Sequence, residues 1–99
     1  MRSVSTQDEL DAIDGPVLFK FSADWCGPCR KLYPIVEALE KEFGHKCTFV
    51  SVDVDAAEAL CARHRVQQIP YVKILHKGEE ILSAVGPTSD DMRRHLAAL

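Results

Sequence analysis

The sequence predicts an α/β fold in which a mixed β-sheet of about five strands is flanked by about four helices. Short apolar runs typical of strands alternate with periodic segments typical of helices, as in parallel strands connected by helices. Near the C-terminal end, two strand-like runs follow each other around a glycine turn, which adds an antiparallel hairpin. The chain has 99 residues and no Pro/Gly/Ser-rich linker, so we expect one domain over residues 1–99.

The first elements are predicted from a capping pair and an apolar run. A short edge strand begins at Ser3, and Thr6 with Glu9 has the capping-box spacing of a helix over 7–13. Residues 17–22 read VLFKFS, which is almost continuously apolar. Such a run is typical of a central strand that is buried on both faces.

A long amphipathic helix is predicted after this strand. Pro34 falls inside the helical pattern and predicts a kink, and Gly44 is expected to end the helix. The apolar face of the helix consists of Leu32, Ile35, Val36, Leu39 and Phe43.

The remaining elements are a strand, a short helix, a hairpin and a last helix. Asp55 and Glu58 have capping-box spacing, so Asp55 is expected to cap the short helix. Thr88 and Asp91 predict the start of the last helix in the same way. The strands are expected at 48–54, 71–75 and 81–85. The short helix is expected to carry Ala57, Leu60, Cys61 and His64 on one face, and the last helix to bury Met92, Leu96 and Leu99.

Two cysteines, Cys26 and Cys29, stand at the predicted start of the long helix. Unpaired backbone N–H groups and the helix dipole favour negative charge there, so Cys26 is expected to be the attacking thiolate. Cys29 follows one turn later and is expected to resolve a mixed disulfide. Pro28 suits the first turn of a helix, and Gly27 leaves room for a partner chain. A zinc site is disfavoured because no second C-x₂-C or H-x₃₋₅-H pair completes a tetrahedral ligand set.

The segment WCGPC at residues 25–29 resembles the active-site signature of the thioredoxin family. The resemblance extends over nearly the whole chain, with further matches at Phe21, Ala23, Pro34, Val52-Asp53-Val54-Asp55, Ile69-Pro70, Lys77-Gly78 and Gly86. It implies a thioredoxin fold. It also implies a protein-disulfide reductase that cycles between a Cys26–Cys29 dithiol and disulfide, with no bound cofactor and no metal.

The resemblance also implies which residues bind the substrate. Pro70 is expected to be a cis-proline opposite the cysteines, Ile69 to offer its backbone to an extended substrate peptide, and Gly86 to line the same groove. Tyr71 stands where thioredoxins usually carry threonine, so we expect a different partner preference. Trp25 is expected to be a partly exposed docking surface, because indole offers a large apolar face and one N–H donor.

Partners and location follow from the resemblance and from composition. The resemblance implies clients of the peroxiredoxin, ribonucleotide reductase or methionine sulfoxide reductase type, and regeneration by an NADPH-linked thioredoxin reductase. We expect a cytoplasmic monomer, since no signal-peptide pattern and no run of roughly 20 apolar residues is present. The net charge of −3 argues against nucleic acid as a partner.

Lys20 is the largest departure from the family pattern. Thioredoxins typically place a buried aspartate at this position, and the resemblance assigns it proton transfer for the second cysteine. Ser51 falls where bacterial members often carry a lysine near that aspartate. The ammonium of Lys20 either reaches solvent at the strand end or points towards the cysteines. In the second case it stabilises a thiolate and makes the protein a weaker reductant.

Three alternatives stay open at this stage. The missing acid is compatible with a thioredoxin-fold binding or chaperone module that has weak or altered redox activity. A zinc or cluster carrier that uses Cys26 and Cys29 across a dimer is a further class. A second disulfide between Cys47 and Cys61 depends on a separation that the sequence does not contain.

Overall fold

A five-stranded mixed sheet forms the middle layer of the molecule. This is seen in a computed structural model that describes residues 1–99. Its strands are β1 (Arg2–Ser3), β2 (Val17–Ser22), β3 (Thr48–Asp53), β4 (Tyr71–His76) and β5 (Glu79–Val85). They lie in the order β1-β3-β2-β4-β5, with β1, β3 and β2 parallel and β4 and β5 antiparallel to their neighbours. The helices are α1 (Gln7–Asp11), α2 (Gly27–Phe43), α3 (Glu58–Arg63) and α4 (Ser89–Ala97). The predicted fold class, with five strands and four helices, is confirmed.

β2 lies in the centre of the sheet because its apolar residues can be covered on both faces. Leu18, Phe19 and Phe21 are fully buried. Leu18 packs with residues of α2 and α4 on one face, whereas Phe19 and Phe21 pack with residues of α1 and α3 on the other. Lys20 shares the face of Leu18, because alternate residues of a strand point the same way. Its side chain is therefore directed towards α2.

α2 packs on the sheet through a narrow apolar stripe. The buried residues are Cys29, Leu32, Val36, Leu39 and Phe43. Ile35 was predicted to belong to the apolar face of this helix, and this prediction is wrong because the residue is 37% exposed. It lies beside the stripe of buried residues, which are spaced three and four positions apart. The helix runs through Pro34 without ending there, and Gly44 is its C-cap. None of the four helices has the length and apolar character to cross a membrane.

The predicted cap of α3 is wrong. Its N-cap is Ala57, which makes no side-chain hydrogen bond to the helix. Asp55 lies two residues earlier, and its carboxylate accepts a hydrogen bond from the indole of Trp25 instead. Thr6 and Thr88 cap α1 and α4 as predicted, each hydroxyl accepting a backbone N–H three residues later.

Several element boundaries differ from the predicted ones by one or two residues. β4 extends to His76, β5 begins at Glu79, and α1 ends at Asp11. The hairpin between β4 and β5 turns at Lys77 and Gly78, whose φ angles are 55° and 76°. Positive φ at both central residues is the type I′ geometry that matches the twist of paired strands.

The two cysteines outside the predicted site lie on opposite faces of the sheet. Cys47 belongs to the core beneath α2 and α4, and Cys61 packs against the core beneath α1 and α3. Both are free thiols, and burial raises the pKa of Cys47 to about 11. Because the sheet separates the two side chains, a disulfide between them is excluded.

Candidate active site

Cys26 and Cys29 are positioned by the start of α2. Cys26 is the N-cap residue, and its Sγ accepts a hydrogen bond from the backbone N–H of Cys29 at 3.2 Å. Its own backbone N–H donates to the carbonyl of Ala23 at 3.2 Å. The two cysteines form a disulfide with their Cα atoms 5.3 Å apart. A sulfur at this position has a backbone donor and faces the positive end of the helix dipole, which stabilises a thiolate.

The disulfide is almost fully buried in a small apolar cluster. Ala23, Val54 and Ile69 pack around it. Gly27 lies next to it in the chain, and apart from its chain neighbours and the backbone of its own helix nothing lies within 4 Å of the position that a Cβ of Gly27 would occupy. The surface beside the disulfide is therefore open to an approaching chain at Gly27.

Ile69, Pro70 and Gly86 lie together beside this cluster. The Ile69–Pro70 peptide bond is cis, as the resemblance to thioredoxins implies. The carbonyl of Pro70 accepts a hydrogen bond from the backbone N–H of Gly86 at 2.8 Å. Gly86 has a φ of 53°, a conformation that glycine adopts without steric cost. Because Ile69 contacts the cysteine cluster, this hydrogen bond holds Gly86 next to the same surface.

Trp25 presents its ring to solvent next to the disulfide. It is 67% exposed, and its Nε1 donates a hydrogen bond to Oδ2 of Asp55 at 2.8 Å. The backbone N–H of Asp55 donates in turn to Oδ1 of Asp53 at 3.0 Å, which holds the loop that follows β3. The partly exposed position predicted for Trp25 is observed. A large apolar face in a fixed orientation suits contact with a polypeptide.

The side chain of Tyr71 is not brought to the cysteines. Its ring packs against Phe21 with the ring centroids 5.8 Å apart, on the face of the sheet that α3 covers. Its hydroxyl makes a hydrogen bond to the hydroxyl of Ser83 on β5. Only the backbone of Tyr71 adjoins Pro70, so the structure adds no support for an effect of this side chain on partner preference.

Lys20 is buried on the face of the sheet that α2 covers. The residue is 3% exposed, and its Nζ lies 4.7 Å from the centroid of the Tyr33 ring. Lys20, Tyr33, Cys29 and Ser51 all line one cavity of about 560 Å³. No carboxylate lies within 4 Å of the ammonium, and burial lowers the pKa of Lys20. The structure thus places Lys20 and Cys29 on one cavity, while the ammonium keeps access to water.

Two residues of this region were absent from the predicted site. Tyr33 follows Cys29 by four residues, so helical spacing alone places both on the same side of α2. Asp55 comes shortly after β3, and Trp25 comes shortly after β2. Because β2 and β3 are parallel, their carboxyl ends lie at the same edge of the sheet. A prediction of this pairing from the sequence could therefore have indicated that Asp55 lies close to Trp25.

Thiol–disulfide exchange needs an accessible approach to one sulfur and a second sulfur within bonding distance. The disulfide at the start of α2 holds the two sulfurs within bonding distance, and the open surface at Gly27 adjoins it. Together with the fold, this is the arrangement of a thiol–disulfide oxidoreductase. The Thioredoxin family model matches residues 3–98. The chain therefore belongs to the thioredoxin family.

Individual relatives agree with this assignment. Thioredoxin X of the chloroplast of Arabidopsis thaliana is 44% identical over 66 residues, and thioredoxin of Bacillus subtilis is 38% identical over 73. These alignments cover 67% and 74% of this chain but 36% and 70% of the relatives. The X-ray structure of thioredoxin from Fasciola hepatica has a TM-score of 0.88 at 31% identity, and the match covers 99% of this chain and 98% of that one. The chain thus spans about a third of the chloroplast relative and almost the whole of the Fasciola structure.

Proposed function

We propose that this chain reduces disulfides in proteins through a Cys26–Cys29 dithiol. The observation that carries the proposal is the buried disulfide at the N-terminus of α2, with Cys26 as the N-cap residue and a backbone donor on its sulfur. In the dithiol form, the same donor and the helix dipole stabilise a thiolate on Cys26. Cys26 is then the nucleophile and Cys29 the resolving cysteine, and Pro28 with Gly27 shapes the turn between them.

The reaction transfers two electrons in two exchange steps. The Cys26 thiolate attacks one sulfur of the client disulfide, a Cys26–client disulfide forms, and the other client sulfur leaves as a thiolate that takes up a proton. Cys29 then loses its proton and attacks the Sγ of Cys26. The Cys26–Cys29 bond forms, the Cys26–client bond breaks, and the second client sulfur leaves and is protonated. The client is reduced, and this chain is oxidised to the disulfide.

Client binding is proposed at the surface around the disulfide. Trp25 offers an exposed apolar face, Gly27 leaves an open approach, and Gly86 lies beside Pro70. Ile69 precedes the cis-proline and would pair its backbone with an extended client segment, which aligns a client sulfur with Cys26. Such pairing fixes the attacking geometry without requiring one particular client sequence.

The expected partners follow from membership of the family. We propose clients of the peroxiredoxin, ribonucleotide reductase or methionine sulfoxide reductase type, and regeneration by a thioredoxin reductase. The proposed state is a cytoplasmic monomer with a single domain over residues 1–99.

Reduction of insulin with dithiothreitol as electron donor tests the proposal. We expect wild type to accelerate the reaction, Cys26→Ser to abolish the acceleration, and Cys29→Ser to arrest the protein as a mixed disulfide. Cys61→Ser is the matched control, because it removes a thiol that lies on the other face of the sheet from α2. If Cys26→Ser behaved like wild type, a binding or chaperone module would replace the enzyme as the explanation.

A further inference from the structure

Lys20 is buried in the centre of the sheet. It pairs in register with Ser51 on β3 and with Val72 on β4, so its backbone is fixed on both sides. Its side chain is directed towards α2 and the residue is only 3% exposed. A charged group at such a position is uncommon, because burial of an unpaired ammonium is unfavourable.

The ammonium of Lys20 has no partner among the protein's polar groups. It makes no ion pair within 4 Å, and its Nζ lies over the ring of Tyr33 at 4.7 Å from the centroid. No fully buried side-chain nitrogen or oxygen in the molecule lacks a hydrogen bond. The Nζ atom therefore faces the cavity that Lys20 lines, where water can solvate it.

Cys29 lines the same cavity from α2. It precedes Tyr33 by four residues, and residues four apart on a helix have Cβ atoms about 5–6 Å apart. The ammonium over the Tyr33 ring and Cys29 therefore adjoin the same side of α2 and the same cavity. Cys29 is itself 3% exposed, and charges interact more strongly in such a poorly solvated environment than in water.

The other charged groups around the cavity are exposed to solvent. They are Asp24, Asp53 and Arg30. Arg30 donates to the backbone carbonyl of Asp24, and the carboxylate of Asp53 accepts the backbone N–H of Asp55. Solvent screens such exposed charges. Lys20 is thus the one buried charged residue that lines this cavity with Cys29.

We propose that the ammonium of Lys20 stabilises the thiolate of Cys29 and so acts as a positioning residue for the resolving step. This inference rests on the proposed function. When the Cys26–client disulfide has formed, Cys29 gives its proton to water in the cavity, and its thiolate attacks Cys26. The same attraction favours the reduced, thiolate-bearing protein over the disulfide. Lys20 therefore speeds resolution at neutral pH and makes the protein a weaker reductant.

Lys20→Met tests the charge, because methionine has a similar length and no charge. Two quantities are measured: the pH titration of the Cys29 Cβ chemical shift in the reduced protein, and the equilibrium constant with glutathione. We expect the Cys29 titration to move to higher pH in the variant. We also expect the equilibrium to favour the variant's disulfide by about three- to tenfold, where tenfold corresponds to about 30 mV.

Lys20→Arg is the matched control, because it keeps the charge and changes the shape. It should stay close to wild type in both measurements, and thermal unfolding should first establish that each variant is folded. Lys20→Gln replaces the methionine variant if that variant does not fold. The inference fails if the Cys29 titration does not move when the charge is removed, or if the arginine and methionine variants move equally.

Failure of this inference differs from failure of the proposed function. Insulin reduction that depends on Cys26, with an unchanged Cys29 titration in Lys20→Met, would remove only the assignment to Lys20. If the Cys29 titration moved in Lys20→Met but the wild-type protein did not reduce insulin, the proposed function would be wrong. The electrostatic effect of Lys20 on Cys29 would still hold.

Discussion

At the scale of single residues, the orientation of Trp25 depends on one acceptor, the carboxylate of Asp55. We expect Asp55→Ala to raise the KM for insulin by about two- to tenfold, because a net hydrogen bond of about 0.5–1.5 kcal/mol no longer fixes the indole. Protein stability should change by less than about 1 kcal/mol, since the bond is at the surface. Steady-state insulin reduction and urea denaturation measure the two effects.

Asp55→Asn is the control for this prediction, because its amide oxygen still accepts the indole N–H. A small aromatic disulfide needs no extended docking surface, so Asp55→Ala should affect its reduction less than that of insulin. An equal loss with both substrates would contradict a docking effect and would indicate altered chemistry at Cys26.

The sequence predicted the positions of single residues in the helices and strands better than the direction of their side chains. Cys26 and Cys29 could be assigned because C-x-x-C spacing at a helix start determines how the two sulfurs relate. The direction of Lys20 could not, since strand alternation gives the face but not the end point of a flexible stem. Asp55 was misassigned because its partner, Trp25, is 30 residues away and is close only through the parallel pairing of β2 and β3.

At the scale of elements, α4 depends on the cap at Thr88. Its hydroxyl accepts the backbone N–H of Asp91 at 3.0 Å, and Met92 and Leu96 on the same helix are fully buried. We expect Thr88→Ala to lower the free energy of unfolding by about 1 kcal/mol, because a helix donor loses its acceptor. Urea denaturation monitored by circular dichroism measures this loss.

Thr88→Ser is the control, because serine supplies an equivalent hydroxyl and should retain most of the stability. Thr6→Ala offers a comparison, since its cap is equally exposed but begins the five-residue helix α1. Equal stability of Thr88→Ala and wild type would show that packing of α4 alone determines where the helix begins.

The elements that were predicted well are those with a local signal. The caps at Thr6 and Thr88 and the buried stripe of α2 follow from spacing along the chain. The start of α3 was misplaced because the carboxylate of Asp55 accepts a hydrogen bond from the indole of Trp25 and not from the helix backbone. Ile35 was misplaced because a periodic pattern does not state how wide the buried stripe is.

At the scale of the whole molecule, the sequence predicted the layers but not the neighbours within the sheet. An apolar run such as 17–22 indicates burial on both faces, yet it does not state which strands lie beside it. The order β1-β3-β2-β4-β5 comes from pairings between distant segments. That order determines which charged groups meet, and it brings three elements, α1, β2 and β4, to the side chain of His64.

His64 connects helices and strands on the face of the sheet opposite α2. Its Nε2 is 2.8 Å from Oε1 of Gln7 on α1, and its Nδ1 is 3.3 Å from Nζ of Lys73 on β4. Lys73 also pairs with Glu80 on β5 at 3.2 Å. The ring packs edge-on against Phe19, with the centroids 5.1 Å apart. A neutral imidazole fits these contacts, since Nε2–H donates to Gln7 and Nδ1 accepts from the ammonium of Lys73.

The stability of the fold should therefore depend on pH through His64. Burial first, and then the charges of Lys73 and Arg63, lower the pKa of His64, against smaller opposite effects of Asp11 and Glu80. The unfolded chain, with a histidine pKa of about 6.5, binds a proton before the folded protein does.

We expect the contribution of His64 to the free energy of unfolding to be constant above about pH 6.5. The free energy of unfolding should then fall as the pH drops from there through the lowered pKa of His64. Urea denaturation at several values between about pH 5 and 8 measures this dependence, and His64→Gln should flatten it because glutamine does not titrate. His45→Gln removes an exposed histidine and should leave the wild-type profile intact. A profile that stays equally steep in His64→Gln would contradict the assignment, because the proton uptake would then belong to another group.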